Sequence, residues 1–149
     1  MSIIMAIDPG LTSGVVTMDT HSPHVLSTHE LTFNEIVQML DDMDAHDLPD
    51  TMICESYIIT GRTVALTRQY DALNIIGMLR YFSVSDGKPL FLQTAGEAKS
   101  FCDNKKLKEV GWYKTGKEHA MDAARHLFLW CTKQNIIRFD SYGEPVFNV

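Results

Sequence analysis

Three of the nineteen acidic residues in this chain stand where an acid is expensive, and they come from distant parts of the sequence. Asp8 follows the apolar run Ile3 to Ile7 and enters a Pro-Gly turn, in the stretch IIMAIDPGLTSGVV. Glu55 follows Met-Ile-Cys, and Asp122 stands among alanines and large apolar residues. A carboxylate in such surroundings is costly unless it is paired, hydrogen-bonded or bound to a metal. Hard divalent ions such as Mg²⁺ take a few carboxylate oxygens and keep positions open for water and phosphate. With two ions roughly 3.5–4 Å apart, one activates water while the other stabilises the leaving oxygen of an in-line phosphodiester attack. Each acid also has a plainer reading. An Asp before Pro-Gly is commonly an Asx-turn former, and a strand Glu is often an exposed edge residue. It is their joint occurrence that favours a metal site.

The surroundings of Asp122 add donors. On a helix of 3.6 residues per turn, with His119 at zero, Asp122 falls at about −60° and His126 at about −20°. The three form one polar ridge beside the apolar stripe Ala120, Ala124, Leu127 and Cys131, and small Ala123 leaves room next to it. His126, amid apolar neighbours, reads as a satisfied core histidine or a support for a ligand rather than as a ligand.

The elements that must position these residues follow from periodicity. SIIMAID and GVVTMD read as two buried strands joined by a short turn, hence an antiparallel hairpin, and HVLSTHEL as a third strand. Thr32 and Glu35 form a capping box, with Ile36, Met39, Leu40 and Met43 at helical spacing over residues 33–46. TMICESYI is a fourth strand, residues 63–83 a long helix and PLFLQT a fifth strand. Short helices follow over 95–101 and 103–110. Thr115 and Glu118 spell a second capping box, opening a helix to about residue 133, and the tail is a loop with at most a short edge strand. The order fits an α/β fold: a mixed five-stranded sheet, with an antiparallel meander followed by two further strands, and helices on both faces. The long helix carries Ala65, Leu66, Ala72, Leu73, Ile76 and Leu79 on one face, and Val64, Ile75, Met78 and Phe82 on a second stripe roughly opposite. That second stripe needs either a further intramolecular layer or a symmetric partner.

With 149 residues, 45% hydrophobic and 21% charged, the chain reads as a single soluble domain over residues 1–149. No apolar stretch approaches the roughly 20 residues of a membrane span, and no secretory leader is recognisable. Cys54, Cys102 and Cys131 lack metal spacing and read as buried thiols of an intracellular protein. The net charge of −6 is unevenly spread. Eight acids and no Lys or Arg lie between Asp19 and Asp50, whereas Lys99, Lys105, Lys106, Lys108, Lys114 and Lys117 face only Asp103 and Glu109. Such a basic flank attracts phosphate by its local field, although a lysine-rich solvated helix face has the same composition.

IDPG at the first strand, ICES in the fourth and HAMDA in the last helix together resemble the motifs of RuvC-like Holliday-junction resolvases, particularly phage-encoded members. These form a branch of the RNase H-like, or retroviral-integrase, superfamily. The resemblance runs from Asp8 to the end of the last helix. It implies an RNase H-like fold and a crossover-junction endodeoxyribonuclease. Asp8, Glu55, His119 and Asp122 would be catalytic residues and ligands of Mg²⁺ or Mn²⁺, two ions to a site. It further implies a homodimer acting on branched DNA in the cytoplasm (the host's for a phage protein), without an organic cofactor or membrane. An imidazole at His119, where some members carry aspartate, favours Mn²⁺ over Mg²⁺. The chain departs from the family in the spacing D-P-G-x-x-x-G, with Gly14 one residue closer, and in its acidity.

Lys114 and Lys117 stand close enough to the H-x-x-D ridge to bind a scissile phosphate, and Lys117 is the candidate for charge stabilisation in the transition state. Lys99, Lys105, Lys106 and Lys108 would contact flanking backbone, as would Arg62 and Arg68. Trp112 and Tyr113 read as a core plug in preference to a base-stacking platform. Three other readings remain in view. The same fold could cleave flaps or other replication intermediates, or serve as a catalytically idle nucleic-acid-binding module. The Asp-Gly hairpin also occurs in actin-like ATPases, which need a second phosphate loop and more chain than 149 residues supply.

Overall fold

A computed structural model describes residues 2–44, 46–62 and 70–148. Strands β1 (Ile3–Asp8), β2 (Ser13–Asp19) and β3 (Leu26–Leu31) pair as the antiparallel meander that their short connections dictate. The next elements are α1 (Phe33–Asp42), β4 (Thr51–Glu55), α2 (described from Tyr70 to Asp86) and β5 (Leu90–Gln93). β4 lies parallel to β1, and β5 parallel to β4, so the sheet order is β3-β2-β1-β4-β5. Helices α3 (Ala95–Phe101), α4 (Asn104–Glu109) and α5 (Glu118–Lys133) follow, and β6 (Ile137–Phe139) pairs with β7 (Pro145–Phe147) in a separate ribbon. This is the mixed five-stranded α/β sheet expected from the sequence; the ribbon replaces the loop and edge strand expected of the tail.

Side chains of a strand alternate between faces, and here the alternation decides where the acids go. Ile4 and Ala6 of β1 and Ile53 of β4 join one core, with Ala120, Ala123, Ala124 and Leu127 of α5. Met5 and Ile7 of β1 and Met52 and Cys54 of β4 join the other, with Ile36 and Leu40 of α1 and Ile75, Ile76 and Leu79 of α2. Continuing the period by one step carries both Asp8 and Glu55 to the α5 face. Because Ile7 stands opposite Cys54 in the parallel register, the two acids end neighbouring strands at the same level.

Two further sequence expectations are corrected. Thr115 and Glu118 form no capping box: Gly116 between them adopts a left-handed backbone, φ +73°, and α5 starts only at Glu118 after Lys117. A box sits instead at Thr94 and Glu97, opening α3. The second apolar stripe of the long helix is not spare, since Ile75 is fully buried and Met78 and Phe82 pack against the same core. The exposed apolar face of α2 is Tyr70, Leu73, Tyr81 and Val84, with Gly77 among them. Val64, Ala65, Leu66 and Arg68 lie outside the described residues. Trp112 is fully buried and its indole N–H donates to the Pro23 carbonyl at 2.7 Å, as befits a core plug. All three cysteines are free and buried, and burial pushes the Cys102 and Cys131 thiols up to about 12. Among the described residues no helix is long and apolar enough to cross a membrane.

Candidate active site

The β1–β2 turn frees Asp8 rather than using it. Ser13 closes that turn, its hydroxyl accepting from the Gly10 N–H at 3.1 Å and donating to the Gly10 carbonyl at 3.2 Å. The Asp8 carboxylate, with its side chain 14% exposed, lies instead 3.5 Å from Nδ1 of His119. Gly14, opposite Asp8 in the β1–β2 register, makes this approach possible. A Cβ on Gly14 would stand 1.8 Å from the His119 carbonyl oxygen and 2.4 Å from the Ala120 nitrogen. The first turn of α5 is therefore seated directly on the β2 backbone. Its orphan His119 N–H donates to Oε1 of Glu30 on β3 at 3.0 Å, which takes over the capping that Thr115 does not supply.

Glu55 is held from behind. Its Oε2 lies 3.0 Å from Nε2 of His126, and Nδ1 of the same ring lies 3.0 Å from Oε1 of Gln93. His126 and Gln93 are both buried, as the plainer reading of that histidine anticipates. Asp122 is held differently. Lys99 of α3 reaches its Oδ2 at 3.1 Å, and Arg125, one turn along α5, bonds its Oδ1. The same guanidinium bonds Oδ1 of Asn104 at the start of α4.

The electrostatics tie the three acids together. The Asp8 carboxyl is pushed up from 3.8 to about 6, first by burial and then by the negative charges of Glu55 and Asp122, with His119 opposing the rise. Lys99 is raised above its ordinary value, chiefly by its hydrogen bond to Asp122, and also by the charges of Glu55 and Asp8. A buried acid crowded by two others has a ready use for a divalent cation. The donors fit a hard ion: oxygen from Asp8, Glu55 and Asp122, nitrogen from His119. In this arrangement Glu55 is turned toward His126, Asp122 toward Lys99 and Arg125, and Asp8 and His119 toward each other, and among the described residues no three His, Cys, Asp or Glu side chains close on a common ion position.

The basic flank does not form one patch. Lys117 stands just before α5 and, with Lys114, Asn104, Asp122 and Arg125, lines an open cavity of about 400 Å³ beside the site. Lys114 reaches the Leu26 carbonyl at 3.4 Å. Lys105 is paired with Glu109 at 3.2 Å, Lys106 donates to the Phe101 carbonyl, and Lys108 lies over the Tyr113 ring at 4.8 Å. Arg62 is exposed beyond β4. Sequence reasoning missed Arg125, Asn104 and Gln93. An arginine three residues after Asp122 was a readable signal on a helix, whereas Gln93 needed the strand register.

No family sequence model and no curated protein sequence matches the chain. Solved structures do. A structure described as T. thermophilus RuvC in complex with Holliday junction substrate superposes with a TM-score of 0.63 at 11% identity, covering 98% of this chain and 100% of that one. A Thermus thermophilus RuvC structure superposes with a TM-score of 0.59 at 12% identity, covering 97% and 99%. Over nearly its whole length the chain therefore has the RuvC-like, RNase H-type fold that its motifs resemble.

Proposed function

We propose that this chain is a divalent-metal-dependent, structure-selective DNA endonuclease that cleaves Holliday or related branched junctions. The observation that carries the reading is the convergence of Asp8, Glu55 and Asp122 at one end of the sheet, the first two ending neighbouring strands at one level with the start of α5 seated against them. The RuvC-type fold supports the same reading, as does the junction substrate bound to the T. thermophilus protein.

Asp8, Glu55, Asp122 and His119 are the residues that would hold Mg²⁺ or Mn²⁺. Bound there, a pair of such ions supplies a water nucleophile at neutral pH and a counter-charge for the leaving oxygen. The protein's own part is arrangement. β1 and β4 fix two carboxylates at one level, and Gly14 lets α5 bring His119 and Asp122 against them. Lys117 and Lys114, on the wall of the adjoining cavity, bind the scissile phosphate, and Lys117 steadies its developing charge. Lys99 belongs to the site itself through Asp122, and would be available to phosphate were that carboxylate to hold an ion. Lys105, Lys106, Lys108 and exposed Arg62 contribute backbone contacts farther out, which weaken with salt.

The chain acts as a homodimer. Its contact is the exposed α2 stripe, where Tyr70, Tyr81 and Val84 are 69%, 73% and 85% exposed on one helix face. Asp8→Asn or Asp122→Asn is expected to abolish Mg²⁺- or Mn²⁺-dependent cleavage while junction binding survives. Cleavage retained in either variant sinks the site assignment. Four-way, three-way, flap and linear substrates assayed side by side decide the substrate, and equal cutting of flaps and junctions overturns junction selectivity.

A further inference from the structure

We propose that His126, braced by Gln93, is the positioning residue that fixes the Glu55 carboxylate for a divalent cation. This rests on the reading of the site as a metal centre, and it assigns to two buried residues a task that the ligand set alone does not include.

The placement begins with the sheet. Glu55 and Gln93 are partners in the parallel β4–β5 register, so their side chains emerge side by side on one face. That face is covered by α5, whose inward positions Ala120, Ala123, Ala124 and Leu127 are all apolar. His126 interrupts this set at 1% exposure. Packing alone calls for an apolar side chain at such a position, because a buried imidazole must have its ring nitrogens satisfied. Both have a partner: Nε2 lies 3.0 Å from Oε2 of Glu55, and Nδ1 lies 3.0 Å from Oε1 of Gln93, an amide that donates to the bare Nδ1 once a half-turn exchanges its oxygen and nitrogen.

The chemistry of the partners orients the ring. A carboxylate only accepts, so Nε2 carries the hydrogen and donates it to Glu55. This is a charge-assisted bond in a water-poor setting. With Gln93 on the opposite nitrogen, the ring cannot turn over without giving up both bonds. The bond commits Oε2 of Glu55 to the ring and leaves Oε1 as the oxygen that a divalent cation would take. It also bars His126 from being a ligand through Nε2, since that nitrogen's lone-pair direction is occupied by its hydrogen. Partners that hold metal ligands in this way commonly contribute 10–100-fold in affinity.

Titration calorimetry of the full chain with Mn²⁺ alone, without DNA, tests this. Glu55→Gln is expected to weaken Mn²⁺ binding, and unchanged binding in that variant overturns the metal-site reading itself. His126→Phe keeps the bulk and removes the donor, and is expected to weaken Mn²⁺ binding by about 10–100-fold. His126→Gln, which can place an amide N–H near the Nε2 position, recovers most of that loss. A purely structural role would not be rescued in this way. In the Glu55→Gln background, His126→Phe is expected to cost nothing further. If Glu55→Gln weakens binding and His126→Phe does not, or the two losses simply add, the positioning role is overturned and the metal site stands. Gln93→Leu leaves the helix untouched and is expected to weaken binding in the same direction by a smaller factor. Should His126→Phe fail to fold by circular dichroism, this variant decides, and wild-type affinity in it overturns the proposal.

Discussion

Glu55 and Asp122 reach the same strand-end site from different elements, and their partners differ in kind. Glu55 stands at the end of β4 and is bonded to a buried imidazole that is itself bonded to a buried amide. Asp122 stands on α5 and is held by two cations, one of them the half-exposed Lys99. Bonds inside the core are expensive to leave unmade, whereas exposed ion pairs contribute little and exchange readily. On the proposed reading one carboxylate is fixed whatever is bound, and the other would trade its lysine for an ion. The difference divides the site into a permanent half, built on the sheet, and an exchangeable half, built on the helix.

The two halves share one seat, and the largest predicted effect comes from disturbing it. Gly14→Ala places a methyl group 1.8 Å from the His119 carbonyl oxygen and 2.0 Å from its carbon. Both are backbone atoms, so the start of α5 must lift from β2. Urea unfolding is expected to show a loss of about 3 kcal/mol, at the upper end of what overpacking costs. Gly96→Ala is the matched control: nothing lies within 4 Å of the added carbon, and its helical site favours alanine. Equal stability of the two variants would show that α5 is not seated where the division requires it.

Asp8 lies between the halves and registers the charge of both. Its folded-state pKa, about 6, is above the 3.8 of a free aspartate, so the folded protein holds this proton more tightly than the unfolded chain. The stabilisation is complete below pH 4 and is lost as pH rises to about 6, where Asp8 ionises in both states. In the metal-free protein Asp8→Asn is therefore expected to be nearly neutral at pH 4 and stabilising by about 1–3 kcal/mol at pH 7.5. Thermal melts of both proteins at the two pH values measure the gap. A destabilised variant at pH 7.5 would mean that burial and the charges of Glu55 and Asp122 do not together hold the Asp8 carboxyl above its ordinary value.

The permanent half was the more legible one in the sequence, up to a point. Strand alternation and the cost of an acid after Met-Ile-Cys picked out Glu55, just as the apolar run before the Pro-Gly turn picked out Asp8. Gly14 stood out by its spacing after the Pro-Gly turn, and a Cβ there would strike α5. What no pattern carried was Gln93, which meets Glu55 only through a β4–β5 register separating them by 38 residues of chain. The exchangeable half was readable as a ridge on α5, but Lys99 was assigned to flanking backbone because its reach to Asp122 depends on how α3 packs on α5. Local patterns failed where one backbone angle outweighed them. Thr115 and Glu118 have the spacing of a capping box, yet Gly116 turns left-handed between them. On α2, the buried arc is wide enough to take in Ile75 and to cover Met78 and Phe82 at its flank. The exposed stripe therefore falls on Tyr70, Leu73, Tyr81 and Val84.

The smallest predicted effect tests the exchangeable half most directly. The Lys99 side chain is 54% exposed and that of Asp122 24%, so their ion pair is open to water and salt. Lys99→Ala should cost the metal-free protein under about 1 kcal/mol at low ionic strength. Most of that difference should vanish in 0.5 M salt, where the screening length is only a few ångströms. Arg125→Gln should cost more and respond less to salt, because its side chain is 16% exposed and it also bonds Asn104. Denaturant unfolding of the three proteins at two salt concentrations gives the comparison. A Lys99→Ala loss that is large and indifferent to salt would make Asp122 as firmly held as Glu55. Asp122 would then have to break a strong contact before taking an ion, and the site would no longer divide into a fixed and an exchangeable half.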